Sequence, residues 1–270
     1  MNCCICGPVK NCAPYLRKIF DNIEKIGSLF DDYKIVIFYD KSNDNTLDIL
    51  KEYQLKNSRL LFYVNEKPTS PFRTHNIAYA RNHCLSYIRQ NVETFPYFIM
   101  MDFDDVNCKE INLQPIKNAL CSNDWDGLSF NTKGGYYDIW ALSIRPYYFS
   151  YLHFKQSHFY NFQTFKDYIN NLLEKVPKNS LLKCLSSFNG FAIYRTSFFL
   201  DTYYDGRIRI DLIPEFFIKQ QSRLSRSKLI FHKYEHVNGY FEDCEHRAFH
   251  LQAIKNSGAK IRISPEIIFY

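Results

Sequence analysis

Tyr97-Phe98-Ile99-Met100-Met101-Asp102-Phe103-Asp104-Asp105 is the stretch on which the reading of this chain turns. Five apolar residues without alternation describe a strand buried on both faces, and the run stops abruptly on three carboxylates. Strand alternation puts Asp102 and Asp104 on one side and turns Phe103 toward the core. Like charges this close raise one another's pKa unless a cation neutralises them. Oxygen donors with no His or Cys beside them in sequence suit Mg2+ or Mn2+ rather than zinc. A divalent ion on such a pair can hold a diphosphate and take up charge as it leaves.

Strand and helix signals alternate upstream of this stretch. Cys3–Cys6 is a short apolar run, and Pro14 then suits the first turn of a helix carrying Leu16, Ile19, Phe20, Ile23 and Ile26 up to Gly27. Lys34–Tyr39 reads as a buried strand, followed by the polar loop Asp40–Asp44 and a helix with Leu47, Ile49, Leu50 and Tyr53. Arg59–Val64 is the next strand, and residues 76–90 place Ile77, Ala80, Cys84, Leu85 and Ile88 on one helical face. Connections this short imply right-handed crossovers and a mainly parallel sheet, with sites at the carboxyl ends of the strands. The acidic loops at Asp40 and Asp102 both fall there.

The second half is less regular. Trp125–Asn131 reads as a strand, Phe162–Glu174 as an amphipathic helix, and Leu181–Tyr194 as strand-like with Gly190 inside it. A last helix runs from about Asp243 to Ser257, closed by Gly258, before strands at Lys260–Ile263 and Ile267–Tyr270. With no internal repeat and no linker, one α/β domain over 1–270 is expected.

Composition narrows the class. The chain has 270 residues, 46% of them hydrophobic and 23% charged, with only nine Gly and ten Pro, which excludes collagen-like and low-complexity chains. The net charge of +6 is too small to argue for nucleic acid, and no nucleic-acid partner is expected. Much of the excess lies in 207–233, read as a solvated loop able to meet an anionic acceptor or a membrane surface. No stretch reaches the ~18 apolar residues that a bilayer span requires. The N-terminus lacks a signal-peptide pattern, so a cytoplasmic protein, peripheral to a membrane at most, is expected. Nine scattered cysteines fit reduced thiols; Cys3, Cys4 and Cys6 alternate across a strand and are read as buried.

These features together resemble the GT-A class of nucleotide-sugar glycosyltransferases. Tyr39-Asp40-Lys41-Ser42-Asn43-Asp44-Asn45-Thr46 is similar to that family's second-strand motif, with Tyr39 at the first acidic position. Arg73 and Ala78-Tyr79-Ala80-Arg81-Asn82 resemble the segment between base binding and the DxD carboxylates. Tyr136-Tyr137-Asp138-Ile139-Trp140-Ala141-Leu142 and Phe188-Asn189-Gly190-Phe191-Ala192-Ile193-Tyr194-Arg195 resemble blocks of the fungal capsule α-1,3-mannosyltransferase-like family. The resemblance implies a GT-A (Rossmann-like) domain, with about 1–110 binding a nucleotide-sugar donor and about 111–270 binding a glycan acceptor. It implies metal-dependent transfer of a hexosyl unit from GDP-mannose or a UDP-sugar, with Mn2+ or Mg2+ as cofactor.

The same resemblance distributes the roles. Asp40, Arg73, Arg81 and Asp102 bind the nucleotide sugar; Asp104, Asp102 and His246 hold the metal, with His250 as the second choice of histidine. Trp140, Asn189 and Gly190 border the acceptor. In Phe241-Glu242-Asp243-Cys244-Glu245-His246-Arg247-Ala248-Phe249-His250, the Glu-Asp pair supplies the acceptor-activating base, Asp243 or Glu242, if the reaction inverts the anomeric centre. If it retains configuration, the leaving phosphate takes that proton. His246 and His250 have metalloprotease spacing, but the Glu that must follow the first His is missing. Two rivals are a sugar-1-phosphate nucleotidyltransferase and a non-catalytic carbohydrate-binding module. The first needs a Gly-rich basic loop after the first strand, where Cys6-Gly7-Pro8-Val9-Lys10 has one Gly; the second needs neither Asp104 nor His246.

Overall fold

The computed structural model of the chain describes residues 1–150, 162–225 and 242–270. Its first half alternates strictly: β1 (Cys3–Val9), α1 (Ala13–Gly27), β2 (Tyr33–Asp40), α2 (Thr46–Lys56), β3 (Leu60–Asn65), α3 (Arg73–Gln90) and β4 (Tyr97–Met101). The second half adds α4 (Gln114–Leu120), β5 (Gly127–Asn131), α5 (Phe162–Glu174), β6 (Leu182–Lys183), β7 (Phe191–Arg195), α6 (Glu215–Ser225), α7 (Glu245–Ser257) and β8 (Ile261–Ile267).

All eight strands form one sheet in the order β3-β2-β1-β4-β7-β5-β8-β6. β1 pairs in parallel with both β2 and β4, β2 with β3, and β5 with β8, while β7 and β6 run antiparallel to their neighbours. The apolar runs are explained by burial on both faces. Cys4, Cys6, Val36, Phe38, Phe98 and Met100 point into one core layer, completed by α3, α5 and α7. Cys3, Ile5, Ile35, Ile37, Ile99 and Met101 point into the other, completed by α1, α2 and α4. The nine cysteines are all free thiols, and those of β1 are fully buried.

Several expectations are corrected. Leu181–Tyr194 is two short strands separated by a turn at Asn189-Gly190, with φ of 60° and 81°. Residues 261–267 form one strand rather than part of two. α3 begins at Arg73, not 76, and α4 is an additional helix, opened by Pro115 in its first turn. Over 210–225 the loop reading gives way to a short 3-10 turn and α6. Arg207 pairs with Asp205, Arg209 with Asp205 and Asp211, and Lys219 with Glu215, so local carboxylates offset that charge. Arg226, Lys228 and Lys233, and Phe241 of the C-terminal motif, lie outside the described residues.

The chain leaves β1 toward β2 and β3, then returns through α3 to place β4 on β1's other side. That reversal opens a crevice beyond the carboxyl ends of β1 and β4, where open α/β sheets bind ligands.

Candidate active site

The floor of the crevice is the loop after β4, and it is locked from below. Asp102 N–H donates to Gly190 O at 2.9 Å, tying the loop to β7. Buried Asn107 donates its side-chain amide to Asp102 O (2.6 Å) and Gly190 O (2.8 Å), and Asn22 of α1 donates to Asn107 O (2.8 Å) and Lys109 O (2.7 Å). Phe103 turns into the core, as alternation requires. Asp104 Oδ1 accepts from Val106 N–H at 3.0 Å, which closes a tight turn. Gly7 of β1 is demanded by this packing, because a Cβ there would stand 2.1 Å from Met101 O.

Above this floor lies a cavity of about 790 Å3. Asp40, Arg73, Arg81, Asp102, Asp104, Trp140 and His246 all line it, so seven residues singled out from sequence converge on one space. Asp40 ends β2 and accepts from Asn65 Nδ2 at 2.7 Å. Asp44, in the same motif, caps two helices, accepting from Ala13 N–H (3.0 Å) and Thr46 N–H (3.1 Å). Tyr39 is buried, and its hydroxyl accepts from Ser42 N–H at 3.0 Å, shaping the Asp40 loop.

Electrostatics concentrate at Arg81, which is 3% exposed. Its Nη2 donates to Asp102 Oδ1 at 2.8 Å, and its Nε lies 3.1 Å from Glu245 Oε1 without hydrogen-bond alignment. Burial pushes the Asp102 carboxyl up to about 7; Arg81 opposes this, while Asp104 and Asp138 add to it. Burial likewise raises Asp104, Asp138 and Glu245.

The two histidines of α7 differ sharply. His250 is held through both ring nitrogens, 3.0 Å from Ser186 Oγ and 3.0 Å from Tyr194 Oη. Ser186 spends its own proton on Ala141 O at 2.6 Å, so Nδ1 carries the imidazole proton and Nε2 accepts from Tyr194. Burial holds His250 at about 3 and lowers His246 well below its ordinary value, so both are neutral at pH 7. His246 stacks on Phe188 with ring centres 3.7 Å apart; its Nε2 lies 3.6 Å from Glu245 Oε1, and neither ring nitrogen makes a hydrogen bond among the described residues.

Asp243, Glu242, Asn189 and Gly190 do not line the cavity. Asp243 Oδ2 accepts from Arg247 Nε at 2.9 Å, and Arg247 in turn donates to Leu142 O at 2.9 Å and to Trp140 O, holding the Trp140 segment in place. Glu242 Oε2 accepts from Thr74 N–H (2.7 Å) and Oγ1 (2.8 Å) in the first turn of α3. Asn189 Oδ1 accepts from the N–H groups of Tyr137 (3.0 Å) and Asp138 (3.2 Å), carrying those residues to the cavity wall. Tyr137, Asp138 and Glu245 are cavity residues not assigned from sequence. Glu245 stands one residue before His246, and that adjacency was its only signal.

The carboxylates at the floor suit a hard divalent ion held by one or two protein oxygens, with phosphates and water completing its shell. Mutual repulsion and burial at Asp102 are what such a cation relieves. Among the described residues no three His, Cys, Asp or Glu side chains come together as a metal cluster.

Among solved structures, S. aureus TarS 1–349 aligns over 100% of this chain and 60% of its own at 16% identity and a TM-score of 0.48. The same protein in complex with UDP-GlcNAc aligns over 100% and 58% at 16% identity and 0.47. The mannosyltransferase PcManGT from Pyrobaculum calidifontis, in complex with GDP-Man and Mn2+, aligns over 76% and 47% at 16% identity and 0.43. The chain thus spans 60% or less of the length of these three. A search of curated proteins gives no match. The family model described as "Glycosyl transferase family 2" matches residues 4–185, from β1 through the DxD loop and into the cavity wall, and the chain belongs to that family.

Proposed function

We propose that the cavity is the donor site of a nucleotide-sugar transferase that moves a hexosyl unit from GDP-mannose or a UDP-sugar to a hydroxyl of a glycan or other acceptor. The observation that carries this reading is the convergence of Asp40, Arg73, Asp102 and Asp104 on one cavity at the reversal of strand order. In this reading the base lies at Asp40 and the ribose at Asp102. Arg73, exposed in the first turn of α3, meets the diphosphate as a planar multi-donor cation. It stabilises the charge that develops there as the glycosidic bond breaks. Asp104 and Asp102, with His246 as the histidine whose ring nitrogens make no hydrogen bond among the described residues, would hold Mn2+ or Mg2+, which would supply charge neutralisation on the same diphosphate.

Trp140, Tyr137 and Asp138 also line the cavity and are assigned to the sugars. Glu245 takes the role expected of Asp243 or Glu242, since of the three it alone lines the cavity. Burial raises its pKa, the direction that strengthens a carboxylate as a general base, and Arg81 opposes that shift. Asp243 serves instead through Arg247 and the Trp140 segment.

The test is a screen of nucleotide-sugar hydrolysis with and without Mn2+, paired with calorimetric titration of UDP- and GDP-sugars. The expected result is binding and slow hydrolysis of at least one donor, strengthened by Mn2+. Asp104→Ala is expected to reduce metal-dependent turnover at least about 100-fold while circular dichroism stays unchanged. Full activity in that variant removes the assignment, and glycan binding without any nucleotide-sugar affinity turns the chain into a binding module.

A further inference from the structure

Arg81 stands where the donor and acceptor walls meet. Asp102 belongs to the loop after β4, Glu245 opens α7, and 142 residues of chain lie between them. One guanidinium reaches both, at 2.8 Å through Nη2 and 3.1 Å through Nε. Its Cζ lies 4.5 Å from the centre of the Phe188 ring and 5.7 Å from that of Tyr204, and Phe188 also carries His246. Nη1 is buried with no acceptor among the described residues, so the group is committed to no other protein partner on that edge.

Two features make this more than charge balance. A guanidinium spreads its charge over three nitrogens and can stand beside two carboxylates at once, whereas an ammonium is a point charge on a narrower head. Burial against Phe188 and Tyr204 also restricts where that side chain can move. The separation of the two carboxylates is therefore set by the shape of one side chain.

We propose that Arg81 is a positioning residue that sets the spacing of Asp102 and Glu245, and through them the spacing of the donor diphosphate and the acceptor hydroxyl. The chemical half of this proposal rests on the glycosyltransferase reading above; the ion-pair half does not. Three duties for Arg81 differ in what they predict. A group that only binds donor raises KM when replaced and leaves kcat alone. A group that only packs lowers the melting temperature and leaves the activity of the folded fraction intact. A spacer lowers kcat while donor affinity holds.

The experiment compares wild type with Arg81→Lys, Arg81→Met, Asp102→Asn, Glu245→Gln and the doubles Arg81→Met/Glu245→Gln and Asp102→Asn/Glu245→Gln. UDP-GlcNAc and GDP-mannose with Mn2+ are the hydrolysis probes, UDP and GDP are the calorimetric ligands, and melting temperature is read without ligand. Arg81→Lys is expected to fold, to bind the nucleotide within about 3-fold of wild type, and to lose about 100-fold in kcat, the cost of an ångström of misplacement. In Arg81→Met/Glu245→Gln, the second change removes one of the two charges stranded by the first, so the melting temperature recovers in part and kcat does not.

Arg81→Lys with kcat within about 3-fold of wild type, or a loss that lies wholly in KM, overturns the proposal. If wild type hydrolyses neither probe, the sugar-transfer reading fails on those donors and the ion-pair half is judged alone. Asp102→Asn and Glu245→Gln, sharing one cation, must then combine non-additively in melting temperature by more than about 2 °C. Additive shifts overturn it.

Discussion

At Asn189-Gly190 the backbone turns with both residues at positive φ, a conformation that glycine adopts freely and a residue with a Cβ resists. A Cβ on Gly190 would stand 2.4 Å from Tyr137 Oη, and Asn189 holds the Tyr137 and Asp138 amides. Gly190→Ala is therefore expected to cost about 2 kcal/mol or more in denaturant unfolding, from backbone strain and the displaced tyrosine together. Asn189→Ala keeps the positive φ, strands the buried amides of Tyr137 and Asp138 and unties the wall, so it should lower stability and weaken donor hydrolysis together. At this scale the sequence shows chemistry well and direction poorly. Asp102, Asp104 and Asp40 can be read because each ends or follows a strand, and a strand end in such a sheet faces the crevice. Glu245 and Asp138 are opaque for the opposite reason. Asp138 sits in an irregular segment whose course depends on Asn189, and Glu245 on a helix with no water-facing side in its first turns to orient it.

α7 shows how an element's placement defeats pattern reading. Glu245 through Ala253 are all buried, so no polar face marks the outside of this half of the helix. Apart from His246, its charged and histidine side chains are matched by partners instead: Arg81 at Glu245, Asp243 at Arg247, and Ser186 and Tyr194 at His250. Keeping His250 neutral has a pH signature. Its folded pKa of about 3 lies below the ordinary 6.5, so the folded chain binds fewer protons than the unfolded one in that window. The corresponding stability is whole above about pH 6.5 and is lost as pH falls toward 3. His250→Asn should lower stability at pH 7 yet flatten the acid slope by up to about 1.4 kcal/mol per pH unit, measured by urea unfolding between pH 6.5 and 4.5. β1 and β4 make a second case. Gly7→Ala drives a methyl group against Met101 O and should cost about 2–3 kcal/mol, as a lower denaturation midpoint with an unchanged slope. The strands themselves were legible from their unbroken apolar runs. The split at 184–190 was not, since a buried turn with Phe188 inside it carries the same apolar signal as a strand.

For the whole molecule, occupancy of the crevice should be visible in unfolding. A nucleotide that binds only the folded chain, present at 100 times its dissociation constant, adds about 2.7 kcal/mol. For a chain of this size that is roughly 5 °C in melting temperature. UDP or GDP is expected to produce such a shift with Mn2+ and a much smaller one without it. Asp104→Ala should abolish the difference between the two conditions. Equal shifts with and without Mn2+ would remove the cation from the site.

The sheet also puts the chain in an awkward order of manufacture. β7 lies between β4 and β5, so the strand that ends in Asp102 has its far edge covered by residues 191–195. A ribosome working at ordinary speed needs roughly 5–20 s to make the intervening stretch. Throughout that interval Tyr97–Met101 presents an apolar strand with an open ladder, the pattern most prone to pairing with a neighbour's. A fragment stopping at residue 110 is thus expected to self-associate rather than persist as a small nucleotide-binding unit, and light scattering of that fragment against the full chain measures it. The half that looks self-sufficient on paper depends for its solubility on a strand that has not yet been made.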